Sequence, residues 1–215
     1  NTQEVDMELR VLGSSGVKVS PICLGTMLFG DQTNEKTAAT IVAMARDAGV
    51  NFIDTADVYV SGTSEKITGK LIAKQRDKWV LATKVGGPFG GGVDPNQRGL
   101  SRRWITHQLE QSLRRLRTDY IDIYYFHRED HETAFEESLR AVEDAIRAGK
   151  IRYFGLSNFR AWRHSEVVWL CKELGMDKPV VSQPYYNALN RMPEVEVLPV
   201  CAHHSLGVVP YSPIA

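Results

Sequence analysis

Three cysteines, Cys23, Cys171 and Cys201, are all that 215 residues offer for sulfur bridging. They are odd in number, far apart, and form neither a CxxC pair nor a metal-finger spacing. This argues against a disulfide framework, and a reducing compartment is expected. Charge of one sign is lacking too, since 26 Lys and Arg stand against 26 Asp and Glu. No chain-wide field exists to hold nucleic acid or an anionic membrane. Nowhere do about 18 apolar residues run together, as a membrane span requires. The leading Asn1-Thr2-Gln3-Glu4-Val5-Asp6 is polar, with no hydrophobic signal core. The expectation is a soluble, cytoplasmic protein with no metal site, no membrane partner and no nucleic-acid partner. The basic run Arg114-Arg115-Leu116-Arg117 follows an amphipathic stretch and reads as a solvated helix end, where cations suit the dipole.

Phosphate-binding motifs are missing as well. No GxGxxG follows the first strand-like run, even in Gly86-Gly87-Pro88-Phe89-Gly90-Gly91-Gly92, which excludes a Rossmann fingerprint. Gly62 and Gly69-Lys70 are too far apart for a Walker loop, and no YxxxK pair occurs. The stretch Gly90 to Gly92 is expected to form a flexible loop after a strand, over the active face.

What is present is regular alternation. Gly13-Ser14-Ser15-Gly16 reads as the turn of a hairpin between Leu9-Arg10-Val11 and Val17-Lys18-Val19, and strand and helix patterns then alternate to the end. That order argues for an α/β architecture with parallel strands in one domain, 1–215. Ile105, Leu109, Leu113 and Leu116 share one helical face, and Phe135, Leu139, Val142 and Ile146 share another. Gly49 and Gly149 fall where helices should end. Seven strand-like runs are found: PICLGTM, NFIDTA, WVLATKV, IDIYYFH, IRYFGLSN, VVSQPYY and GVVPYSP.

Four side chains sit at or just beyond the C-terminal ends of three of these runs: Asp54 and Tyr59 after NFI, Lys84 closing WVLATK, and His127 closing IDIYYFH. In a parallel barrel those ends share one face, so a carboxylate, a phenol, an ammonium and an imidazole converge. The set suits proton donation to a carbonyl. A phenol has a reference pKa of about 10, which an adjacent Lys84 cation would lower. Asp54 would be the counter-ion of Lys84, and neutral His127 would orient a substrate oxygen. His203 and His204 lie on a helical pattern with no metal-ligand spacing, and read as surface or packing residues.

The blocks NFIDTADVY, LATKV, YIDIYYFHR, GKIRYFGLSNF, QPYYNAL and VVPYSP, in this order, resemble those of the aldo-keto reductases. NQRGLSRRWI and LEQSLRRLRTDYIDIYYFHR are similar to the branch that contains potassium-channel β-subunits and bacterial reductases. The resemblance implies a (β/α)8 TIM barrel with an N-terminal hairpin. The seven runs would leave it without its eighth strand and last helices, so a further C-terminal segment or a partner is expected over the gap. It also implies reversible NADPH-dependent reduction of an aldehyde or ketone, with NADH not excluded, and with Tyr59 as acid and Asp54, Lys84 and His127 as its partners. The implied cofactor contacts are Thr26 and Met27, Asp54, Ser157 and Asn158, Gln183, and Tyr211 with Ser212 and Pro213. Tyr211 would stack on the nicotinamide, while Ser157, Asn158 and Gln183 would bond its carboxamide. Phe29, Phe89, Trp104 and Arg128 are candidates for the substrate rim. An NADP(H)-binding redox sensor or channel-regulatory module with slow turnover is the alternative, and the partner expected is a small carbonyl or alcohol, for a monomer or homo-oligomer.

Overall fold

Residues 7–89 and 94–214 are described by the computed structural model. The expected loop residues Gly90, Gly91 and Gly92 lie outside the described residues, as does the polar start of the chain.

A short antiparallel hairpin, β1 (Arg10–Val11) and β2 (Lys18–Val19), precedes a sheet of seven parallel strands. These are β3 (Cys23–Gly25), β4 (Phe52–Asp54), β5 (Val80–Val85), β6 (Ile121–Phe126), β7 (Ile151–Ser157), β8 (Val181–Gln183) and β9 (Gly207–Val208). Their spatial order equals their chain order. Helices α1 (Glu35–Asp47), α2 (Thr63–Ile72), α3 (Arg102–Leu116), α4 (Phe135–Arg147), α5 (Ala161–Leu174) and α6 (Val197–His203) supply the crossovers. Sequential parallel strands joined by helices curl into an open barrel, because each crossover returns the chain to the same side of a twisted sheet.

All seven strand-like runs are found, although β8 and β9 stop at Gln183 and Val208, short of the aromatic segments that follow them. The two apolar helical faces are found too: Ile105, Leu109, Leu113 and Leu116 of α3 are buried, as are Phe135, Leu139 and Val142 of α4. α3 begins at Ser101, whose hydroxyl accepts a hydrogen bond from the Trp104 amide at 3.2 Å, the usual way to satisfy an orphan first-turn donor.

The strands divide two cores by their period of two. Phe52, Val80, Ala82, Ile123, Tyr125 and Val181 point inward and pack with Leu12 and Val19 of the hairpin segment. Ile53, Leu81 and Tyr124 point outward, into the layer filled by the helices. Each fully buried aliphatic or Phe side chain contributes about 1.5–3 kcal/mol relative to exposure. The hairpin closes the floor of the barrel: a Cβ on Gly13 would lie 2.2 Å from the Val180 carbonyl oxygen, just before β8. Gly155 on β7 plays the matching part higher up, since a side chain there would meet the Tyr125 ring at 2.7 Å.

Candidate active site

β4 and β5 place Asp54 and Lys84 on the inner face, at the end opposite the hairpin floor. Lys84 is fully buried. Its ammonium donates to the Asp54 carboxylate, to the Thr55 carbonyl at 2.7 Å and to the Tyr59 hydroxyl at 3.3 Å. Three donors thus meet three oxygens. Burial alone would drive the ammonium towards neutrality, but Asp54 and Tyr59 outweigh it and raise the Lys84 pKa above its ordinary value. The cation is held charged.

The other Asp54 oxygen accepts from the Gln183 side-chain amide at 3.1 Å. Gln183, expected as a cofactor contact, therefore also ties β8 to the Asp54–Lys84 pair across the barrel. Ser157 donates to the Gln183 backbone carbonyl at 2.9 Å.

Tyr59 opens a 3-10 turn, Tyr59–Gly62, in which Val60 and Ser61 both have positive φ. A β-branched residue in that region is strained, and such strain gathers at functional sites. The phenol differs from the sequence expectation in one respect. Burial raises the Tyr59 pKa, and the opposing pull of Lys84 is smaller. The hydroxyl is therefore protonated at neutral pH, the state a proton donor needs.

His127 follows β6 with its ring edge-on to Tyr59, centroids 5.9 Å apart. Burial, with the nearby Lys84 and Arg128 cations, pulls its pKa down to about 3. The imidazole is neutral, and its buried Nδ1 has no hydrogen-bond partner among the described residues. Asp54, Tyr59, Lys84 and His127, drawn from β4, its following turn, β5 and the end of β6, are brought together.

A cavity of about 860 Å³ is lined by Asp54 and Tyr59 of this set but not by Lys84 or His127, and its size is common for small-molecule sites. Asp54, Tyr59, Gln183, Thr26, Met27, Phe29, Tyr211, Ser212 and Pro213 all line it. The Thr26 hydroxyl is already committed, donating to the Asp54 carbonyl at 3.0 Å and sharing a 2.9 Å bond with Ser64. Asn158 holds a positive φ of 59°. Its amide nitrogen donates to the His127 carbonyl at 3.0 Å and to the Ser157 hydroxyl at 3.1 Å. Its oxygen accepts from the Tyr211 hydroxyl at 2.8 Å.

The expected aromatic rim is different. Of the four candidates, Phe29 is among the residues lining the cavity, while Phe89, Trp104 and Arg128 are not. Trp104 is buried between Phe89 and His107 in the first turn of α3. An amphipathic N-terminal turn puts an indole into the helix–sheet layer rather than over the barrel mouth. Arg128 is exposed beside His127.

Sequence reasoning missed a second polar cluster directly behind the first. Glu65 of α2 is fully buried. It accepts from the Thr83 hydroxyl at 2.6 Å and from Arg115 at 2.5 Å. Arg115, expected as a solvated helix-end cation, instead turns inward with its side chain 12% exposed. Asp57 is fully buried beside them, and neither carboxyl oxygen has a hydrogen-bond partner among the described residues. Burial, then the Glu65 charge, raises its pKa well above the usual carboxylate range. The only available signal was alternation: Thr83 neighbours Lys84 on β5 and must face the opposite way.

Comparison with known proteins gives these positions a context. The aldo/keto reductase family model matches residues 21–215. An uncharacterized oxidoreductase of Bacillus subtilis, YrpG, is 43% identical, over 97% of this chain and 67% of its own. A probable voltage-gated potassium channel subunit beta of Arabidopsis thaliana is 39% identical, over 97% of this chain and 64% of its own. A versiconal hemiacetal acetate reductase of Aspergillus parasiticus is 35% identical, over 97% and 68%. The chain spans about two thirds of the length of these relatives. With the family model covering residues 21–215, and a relative 43% identical over 97% of the chain, the chain belongs to the aldo/keto reductase family.

Proposed function

We propose that the protein is an NADPH-dependent carbonyl reductase in which Tyr59 donates the proton. The observation that carries this reading is the caged Lys84, held charged by Asp54 and placed 3.3 Å from a protonated Tyr59 hydroxyl. NADPH, when bound, supplies the hydride. The cavity fits such a group: it is lined by the Tyr59 ring, by Gln183 and by the exposed turn Tyr211–Pro213. Tyr211 would stack on the nicotinamide, Ser157, Asn158 and Gln183 would hold its carboxamide, and Thr26, Met27, Ser212 and Pro213 would complete the cradle.

The chain's own groups account for the proton. As negative charge grows on a carbonyl oxygen, the Tyr59 hydroxyl transfers its proton, and the Lys84 ammonium stabilises the phenolate left behind. Asp54 keeps Lys84 charged throughout. His127, neutral and edge-on to Tyr59, positions the oxygen without competing as an acid. Proton donation of this kind contributes about 10²–10⁴ in rate.

The substrate class is aldehydes and ketones, with small alcohols in the reverse direction, in a cytoplasmic setting. A second reading draws on the similarity to the Arabidopsis channel subunit beta: a channel-regulatory module that binds NADPH and turns over slowly. Following NADPH oxidation with a panel of aliphatic and aromatic carbonyls separates the two. Turnover on at least one class supports the reductase; tight NADPH binding without turnover on any supports the module.

A further inference from the structure

Tyr211 is not the only ring at the edge of the cavity. The Tyr185 ring, just past β8, stacks on it with centroids 5.3 Å apart and planes 25° from parallel. Tyr211 lines the cavity together with Asp54, Tyr59 and Gln183, whereas Tyr185 is not among the lining residues. Tyr185 therefore covers the side of Tyr211 turned away from the cavity. The two segments are also joined through their backbones. Tyr185 and Tyr211 form a parallel bridge, and the Tyr211 amide donates to the Pro184 carbonyl at 3.1 Å.

The turn that carries Tyr185 is itself pinned. Asn187 is buried, and its side-chain oxygen accepts from the amides of Leu189 and Asn190 at 2.9 and 2.8 Å. Its amide nitrogen donates to the Ser212 carbonyl at 3.0 Å. Asn190 in turn donates to the Tyr185 carbonyl at 2.7 Å. Tyr185 thus presents a fixed plane, although the residue is 42% exposed. At its far end the Tyr211 hydroxyl is fastened to Asn158, which reaches the His127 carbonyl.

We propose that Tyr185 is a positioning residue: it backs the Tyr211 ring and sets the plane on which the nicotinamide of NADPH stacks. The inference rests on the proposed reading of Tyr211 as the stacking ring. An exposed tyrosine without a backing ring would swing about its side-chain torsions and have to be ordered on each binding event. A ring already held by a stacked neighbour, a backbone bond and a hydroxyl anchor loses less freedom. Tyr185 has no polar task in this account, because the stacked face does the work. Phenylalanine should therefore replace it and alanine should not.

The test compares the unsubstituted chain with Tyr185→Ala, Tyr185→Phe and Tyr211→Ala. NADPH affinity is measured by fluorescence titration, and nitration of Tyr211 by tetranitromethane in the ligand-free protein is followed by peptide mass spectrometry. Tyr185→Ala is expected to weaken NADPH binding by roughly two- to tenfold, the range of an aromatic pair, and to speed Tyr211 nitration. Tyr185→Phe should match the unsubstituted chain in both. If Tyr211→Ala weakens NADPH binding while Tyr185→Ala changes neither affinity nor nitration, the inference is overturned and the stacking role of Tyr211 stands. If Tyr211→Ala leaves NADPH affinity unchanged, the stacking role fails and the inference fails with it.

Discussion

β5 touches two buried ion pairs, one on each face, and they are built to different ends. Inside the barrel, Lys84 meets Asp54, which lines a cavity, and Lys84 itself donates to the Tyr59 hydroxyl on the same cavity. Outside it, Thr83 leads to Glu65 and Arg115, sealed between α2 and α3. The inner pair has one carboxylate for one cation. The outer cluster sets two carboxyl groups, Glu65 and Asp57, against Arg115, and Asp57, which has no hydrogen-bond partner among the described residues, has its pKa raised by burial and by the Glu65 charge. A difference of one residue in register thus separates a pair poised for proton transfer from a pair that fastens two helices to the strand. A buried ion pair by itself does not mark an active site; its access to a cavity and to a third, protonated group does.

Breaking the inner pair should give the largest effect. Lys84→Met leaves Asp54 charged and uncompensated, so carbonyl reduction should fall by at least about a hundredfold, and stability by about 3–5 kcal/mol. Steady-state rates and denaturant unfolding check both. Glu65→Gln should do the reverse in proportion. Arg115 loses its carboxylate in the helix layer, which should cost about 3–5 kcal/mol in unfolding free energy, while kcat on a good carbonyl substrate changes by less than about tenfold.

Asp57→Asn sharpens the contrast through pH. The folded-state pKa of Asp57 is raised, so its contribution is fully present below the ordinary carboxylate value of 3.8. That contribution is lost as pH rises through the folded value, because the unfolded chain releases the proton first. The amide variant removes this decline. Its melting temperature relative to the unsubstituted protein should therefore rise as pH is raised from below 3.8 towards neutrality. A difference that stays flat with pH would mean that the Asp57 pKa is not raised in the folded protein.

The sequence makes one of these clusters legible and hides the other, for a physical reason. Asp54, Lys84 and His127 close apolar runs, and Tyr59 follows the first, so the common face of a parallel sheet brings them together once strand ends are found. The apolar faces of α3 and α4 are equally readable, because spacing alone decides which side is buried. Glu65, Arg115 and Asp57 carry no such mark. Glu65 and Arg115 sit in helical stretches where a charged residue is normally solvated, and their burial depends on how α2 and α3 meet. Trp104 shows the same limit from the other side: its place near a loop suggested the cavity rim, while the rotation of α3 about its axis put it in the core. The stacking of Tyr185 on Tyr211 required two segments 26 positions apart to meet in register, which only the sheet order supplies.

The central claim is that a protonated Tyr59, supported by Lys84, donates the proton. The most direct measurement is NADPH oxidation with a carbonyl substrate by the chain and its Tyr59→Phe variant, alongside NADPH affinity for each. The account predicts that turnover falls by about 10²–10⁴ with NADPH affinity little changed; turnover that survives the loss of the hydroxyl would contradict it.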